Sequence, residues 1–203
     1  MGSNPSGRTL FVVHSLIHSM LNYIIFGPPG AGKGTQAKKL AAKLNLTHIS
    51  TGALLREEVS RATEIGQRVQ EVMARGELVD DEIVDSLIKD KIQNGHEAGF
   101  IFDGYPRTIN QARNLDVLLA AKALPLTLNL EVSADELAKR LALRGLESGR
   151  SDDNEATIKN RLLAYARQTE PLLDFYADHK RLISVAGEGT MDDVYQRLEK
   201  EVS

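Results

Sequence analysis

The sequence predicts an α/β fold, a five-stranded parallel sheet flanked by helices, and three observations carry that expectation. From Met20 onward, short β-rich runs alternate with longer stretches of helical periodicity, the pattern of a parallel sheet covered by helices on both faces. The first strand candidate runs directly into a turn rich in Pro and Gly and then into a helix. With 203 residues, 42% of them apolar and 26% charged, the chain can bury one sizeable core and is neither disordered nor fibrous.

The elements follow in order. Residues 21–26 form an apolar strand; Pro28, Pro29 and Gly30 force a turn; residues 33–44 carry a helical pattern. Later strands are expected at 47–49, 100–103, 126–131 and 182–186. Two segments break the alternation. Residues 51–79 are charged and largely helical, with Gly52, Gly66 and Gly76 as hinges or caps. Residues 144–154 contain Gly145, Ser148 and Gly149 and read as a loop before a helix capped near Asp153 or Asn154. That helix carries Ile158, Leu162 and Tyr165 on one stripe and should stop or kink near Thr169 and Pro171. No internal repeat occurs and no heptad seam suggests a coiled-coil dimer; a monomer is expected, with the oligomeric state left open by the sequence. Residues 1–19 stand apart, as a leader, an added segment or an upstream-start artefact outside the main fold, which leaves 20–203 as a single domain.

Charge and composition exclude several classes. Lys and Arg total 25 against 28 Asp and Glu, so a net charge of -3 offers no general attraction to nucleic acid or an anionic membrane. The absence of cysteine excludes disulfides and thiolate zinc sites and fits a cytoplasmic protein. The early apolar stretch 10–17, interrupted by His14 and Ser15, is far too short to span a bilayer. His14, His18, His48, His96 and His179 form no metal-like cluster and are assigned to solvent or packing.

The run Gly27-Pro28-Pro29-Gly30-Ala31-Gly32-Lys33-Gly34-Thr35 follows an apolar strand and opens a helix, the context of a phosphate-binding P-loop. Backbone amides freed by the glycines crowd around phosphate oxygens, the helix N-terminus adds positive potential, and Lys33 can reach the β and γ phosphates. The plainer alternative is a Gly-rich turn with an exposed lysine. Gly34 stands where many P-loops place a magnesium-binding hydroxyl, and Thr35 follows it, so magnesium would be held mainly by phosphates and water. Asp103 ends an apolar strand beside the turn Gly104-Tyr105-Pro106-Arg107 and is the candidate to face that metal through water; a solvated strand-end aspartate is the alternative.

These residues, with Ser50-Thr51-Gly52, Arg56, the run 103–108 with Gln111, and Gly149-Arg150-Ser151-Asp152-Asp153 before Arg161, resemble the adenylate kinase family. The resemblance implies that 51–79 is a mobile monophosphate-binding insertion and 144–154 a short lid without zinc. It implies that ATP is held by Gly30, Ala31, Gly32, Lys33, Gly34 and Thr35 with Arg140, Arg144 and Gly189. AMP would meet Thr51, Arg56, Glu77, Leu78, Val79, Gly104, Tyr105, Pro106, Arg107 and Gln111, with Arg150 and Arg161 reaching phosphates from both sides. Lys33, Asp103, Arg107, Arg144, Arg150 and Arg161 would be catalytic, magnesium would come with ATP, and the reaction would be ATP plus AMP giving two ADP, which maintains adenine nucleotide balance.

Arginine suits this chemistry because its planar fork binds oxyanions at two points and stays charged. Ordinary surface charge is the alternative for Arg140, Arg144, Arg150 and Arg161, as a helix cap is for Ser151, Asp152 and Asp153. Ala53 departs from the family, which has an acid there linked to the water around magnesium. The carboxamide of Gln111 matches the donor and acceptor of adenine's edge, and by the same resemblance pyrimidine monophosphate kinases have Ala and Asn where this chain has Thr51 and Gln111. The rival readings are a UMP/CMP kinase of similar fold, a small-metabolite P-loop kinase and a nucleotide-dependent switch; no Asn-Lys-x-Asp guanine signature is present.

Overall fold

Sheet positions in the computed structural model follow from the apolar runs. The structure describes residues 21–95, 98–120, 123–147 and 154–202, and for 144–147 the backbone only. The strands are β1 (Leu21–Phe26), β2 (Thr47–Ser50), β3 (Gly99–Asp103), β4 (Leu126–Glu131) and β5 (Leu182–Ala186). They form one parallel sheet in the order β2-β3-β1-β4-β5. Successive side chains of β1 point to opposite faces: Ile24 and Phe26 join Phe100, Phe102 and Tyr176 in one core layer, while Tyr23 and Ile25 join Ile101, Leu128 and Leu40 in the other. Burial on both faces is why β1 and β3 are nearly continuous apolar runs rather than alternating ones.

The helices are α1 (Lys33–Leu44), α2 (Thr51–Ser60), α3 (Glu64–Ala74), α4 (Asp81–Gln93), α5 (Ile109–Leu118), α6 (Ala134–Glu147), α7 (Glu155–Ala164), α8 (Leu172–Asp178) and α9 (Met191–Val202). Within the expected 51–79 insertion, α2 and α3 pack on each other. Of its three glycines, only Gly76 ends a helix, its N–H donating to the Met73 carbonyl. Gly66 is no hinge or cap: it is buried inside α3, where a Cβ would collide with the Glu58 backbone of α2, so it sets how closely the two helices approach. Gly52 lies in the first turn of α2.

After the expected lid, Asn154 caps α7, its Oδ1 accepting from the Thr157 N–H at 2.9 Å. The kink expected near Thr169 takes the form of a π-helical turn over Tyr165–Thr169, with the Glu170 N–H reaching the Tyr165 carbonyl, before Pro171 and α8. Residues 1–19, Arg150 and most of the expected lid lie outside the described residues. Among the described residues, no helix is long and apolar enough to cross a membrane.

Candidate active site

Register brings the chemistry to one edge of the sheet. Ile25 pairs with Asp103 and Ser50 with Asp103, so β1, β2 and β3 end level, and the loops leaving them begin side by side. Those loops are the 27–32 turn, the start of α2 at Thr51 and the turn 104–108, and they wall a cleft of about 1010 Å³ outside the carboxyl ends of the strands.

The P-loop half of the cleft is lined by Gly30, Gly32, Lys33, Gly34 and Thr35. Ala31 is buried beneath it in the core. The Lys33 ammonium donates to the carbonyls of Gly27 (2.6 Å) and Pro28 (2.9 Å), which holds it over its own loop. Arg140 reaches the same cleft from α6, its Nε donating to Glu136 Oε1 at 2.8 Å. Gly189 lines neither this cleft nor the adjoining pocket; it lies by Asp193 at the start of α9. The side chain of Arg144 and the whole of Arg150 lie outside the described residues.

Asp103 is not a solvated strand end. Its side chain is 15% exposed, and Nε2 of His48, itself 17% exposed, lies 3.7 Å from its Oδ2. Burial pushes the carboxyl pKa up, but His48, Lys33 and Arg107 outweigh it and hold the group below the ordinary aspartate value. A Cβ at Gly34 would sit 3.1 Å from Asp103 Oδ2, so the residue type at 34 leaves this carboxylate open toward the P-loop. Among the described residues no set of three or more His, Asp or Glu could hold a metal ion. A single carboxylate beside a phosphate cradle suits a metal that brings its own phosphate and water ligands. Ala53 also lines the cleft, without a carboxylate to add. His48, assigned from sequence to solvent or packing, belongs to this site instead; its place two residues before Ser50-Thr51 at a strand end was the available signal.

A second, adjoining pocket lies under α2 and α4. Its apolar wall is Leu55, Met73, Leu78, Val79 and Val84; its polar wall is Thr51, Arg56, Glu77, Gln111, Arg107 and Arg161. Leu55, Met73 and Val84 were not singled out from sequence, because apolar residues at helical spacing carry no mark separating a pocket wall from core. The Glu77 carboxylate is held by Arg75 through paired bonds of 3.0 and 3.1 Å. Gly104, at φ 78, has no room for a side chain: a Cβ would sit 2.7 Å from Thr51 Oγ1 and 2.9 Å from Arg107 Nη2. The Thr51 hydroxyl donates to the Gly104 carbonyl at 2.7 Å and so bolts α2 to this turn. Pro106 reaches the larger cleft. Tyr105, expected to touch AMP, is instead fully buried under the turn and lines neither pocket; its hydroxyl donates to Asp85 Oδ1 at 2.7 Å.

Arg56, Arg107 and Arg161 line both pockets. Arg107 is partly buried, its Nε donates to the Gly104 carbonyl at 2.9 Å, and Thr169 Oγ1 donates to its carbonyl at 3.2 Å. Burial, then the neighbouring Arg161 and Arg56, depress its pKa, with Asp103 opposing them. Like charges gathered in a sheltered site have low energy only when an anion lies between them. Arg161 is set by α7: one turn before it, Thr157 Oγ1 donates to the Ala74 carbonyl, and Asn160 Nδ2 to that of Arg75, both at 3.0 Å. Side chains of α7 thus cap the open C-terminal end of α3.

Gln111, in the first turn of α5, is buried rather than solvated. It is 3% exposed; its Oε1 accepts from the Arg107 N–H at 2.7 Å, and its Nε2 donates to Asp81 Oδ1 at 2.8 Å. The site therefore joins a phosphate cradle, a ring of guanidinium groups and a slot with an amide at its wall, which is what two phosphorylated ligands meeting end to end require.

Residues 25–181 match the family model described as adenylate kinase. Relatives named adenylate kinase include one from Phocaeicola vulgatus, 44% identical over 179 residues, covering 87% of this chain and 95% of the relative. Another, from Deinococcus deserti, is 47% identical over 185 residues, covering 87% and 94%. A third, from Thermobifida fusca, is 43% identical over 180 residues, covering 87% and 95%.

Proposed function

Because the chain belongs to the adenylate kinase family, we propose that it transfers a phosphoryl group reversibly between ATP and AMP, giving two ADP. The observation that carries this is the gathering of Arg56, Arg107 and Arg161 where the phosphate cleft meets the slot of Gln111. An AMP phosphate oxygen attacks the γ phosphorus in line, a P–O bond forms, the bond to the bridging oxygen breaks, and ADP leaves with that electron pair. No proton has to move, since the attacking phosphate is already an anion.

The protein's task is alignment and charge. Lys33 turns from its own loop toward the β and γ phosphates, Thr35 and the 30–34 backbone cradle them, and Arg140 and Arg144 face the ATP phosphates. Arg56 and Arg107 hold the AMP phosphate, and Arg150 and Arg161 bridge the two nucleotides. Asp103 would order water around the magnesium that accompanies ATP, a metal that would supply charge neutralisation at the phosphates. Closure of 51–79 and 144–154 excludes water, the rival acceptor. In this reading the enzyme acts as a cytoplasmic monomer.

The test is ADP formation from Mg-ATP with AMP, CMP, UMP or GMP, against hydrolysis without acceptor. AMP is expected to be the best acceptor. A preference for CMP or UMP would reassign the substrate, and ADP formation no faster than hydrolysis would remove the kinase reading altogether. Gln111→Ala is expected to lower AMP discrimination by roughly 1 to 3 kcal/mol, and adding Thr51→Ala to narrow the gap to CMP and UMP, with KM for ATP barely moved. Residues 1–19 are proposed to be dispensable: a chain starting at Met20 should keep its activity, and a folded but inactive product would contradict this.

A further inference from the structure

We propose that Asp81, at the start of α4, is the positioning residue that fixes the Gln111 carboxamide in the orientation that selects a 6-amino purine. The proposal rests on Gln111 reading the base, as set out above. Asp81 accepts from two side chains of the opposite turn at once: Thr108 Oγ1 at 2.6 Å and Gln111 Nε2 at 2.8 Å. Both distances are those of strong bonds to an ionised acceptor. One helical turn on, Asp85 accepts from the Tyr105 hydroxyl at 2.7 Å and from Asn114 Nδ2 at 2.6 Å, so α4 grips the 105–114 segment at two levels.

An amide can be turned over with almost no change of shape, which exchanges its donor and its acceptor. At Gln111 the flip is blocked at both ends. It would set the amide nitrogen against the Arg107 N–H, donor facing donor, and the carbonyl oxygen against the Asp81 carboxylate. The second clash involves a full negative charge. In the orientation observed, each end has used one of its two capacities, leaving an N–H on Nε2 and a lone pair on Oε1. Adenine presents the complement, an acceptor at N1 beside the 6-amino donor. Hypoxanthine has the same outline with the pattern reversed, N1–H beside a 6-oxo acceptor, and would fit only the flipped amide.

The test compares kcat/KM for AMP and for inosine monophosphate in wild type, Asp81→Ala, Asp81→Asn and Gln111→Ala, with melting temperature and KM for ATP measured alongside. Asp81→Ala is expected to lower the AMP-to-IMP ratio about tenfold, by losing AMP activity without a matching loss for IMP. Asp81→Asn keeps an oxygen acceptor for Nε2 and should hold the ratio within about threefold of wild type. A purely structural role would lower the melting temperature and both substrates together, leaving the ratio in place. Should Asp81→Ala not fold, Asp81→Leu, which likewise offers no acceptor, provides the same comparison. A ratio that falls in Gln111→Ala but not in Asp81→Ala overturns this proposal alone. A ratio unmoved in both overturns the base-reading role of Gln111 and the proposal with it. Equal losses in the Ala and Asn variants also overturn it, because the acceptor would then not be what matters.

Discussion

Arg107→Met is expected to lower kcat/KM at least about a thousandfold while the melting temperature falls by no more than a few degrees. Arg107 sits where the two pockets meet, and its guanidinium lies close enough to Arg161 and Arg56 for each to depress its proton affinity. In the absence of phosphate the proximity of the arginines is unfavourable, so removing the charge relieves repulsion, which offsets the lost bond to the Gly104 carbonyl and the lost attraction to Asp103. In the proposed reaction the same charge would meet the phosphoryl group in flight, whose negative charge is spread over its equatorial oxygens. Methionine keeps an unbranched apolar stem without the charge, so the two effects separate. Arg107→Lys keeps the charge but loses the two-point fork and should still fall at least about a hundredfold. Steady-state rates with a thermal melt of each variant check both statements; activity within tenfold of wild type in Arg107→Met would place the phosphate elsewhere.

The second large effect is expected at Asp103. Asp103→Asn keeps the shape and removes the charge, and turnover with Mg-ATP should fall at least about tenfold, with a higher magnesium concentration needed for half-maximal rate. Turnover within twofold of wild type would remove the role. Stability should respond to pH as well. Because His48, Lys33 and Arg107 hold the folded pKa below the ordinary aspartate value, ionised Asp103 contributes stability that is fully present above about pH 4. That contribution is lost as pH falls through the depressed folded value. The melting temperature of the wild type should therefore drop more steeply below about pH 4 than that of Asp103→Asn. Parallel curves for the two proteins would mean that the carboxylate is not linked to the fold.

Much of the scaffold is legible in the sequence. The strands 21–26, 126–131 and 182–186 and the helix 33–44 run where their sequence patterns put them, and β2 and β3 differ by one residue each. Those elements are determined locally. A strand buried on both faces must be an apolar run, and a Gly- and Pro-rich turn between such a run and a helix leaves few other conformations. The P-loop motif is local as well, nine consecutive residues, so the proposed roles of Lys33 and its neighbours rest on spacing within one short run.

Other assignments depended on partners distant in the chain. Gly66 carries no mark distinguishing a hinge from a contact, and only the packing of α3 on α2 shows that it admits the Glu58 backbone. Tyr105 and Pro106 are adjacent in a turn that belongs to the site, yet the tyrosine points into the core toward Asp85 and the proline into the cleft. His48 gained its place from the register of β2 on β3, which sets it beside Asp103. Gln111 finds its second anchor 30 residues away at Asp81, and Thr157 reaches 83 residues back to the end of α3. The sequence by itself determined the strands, the turn and the phosphate loop, because backbone preference and burial on both faces act within a few residues. Which polar side chains hold one another was decided only by the tertiary structure, because a hydrogen bond of under 3 Å between distant segments depends on register and helix packing that no local pattern encodes.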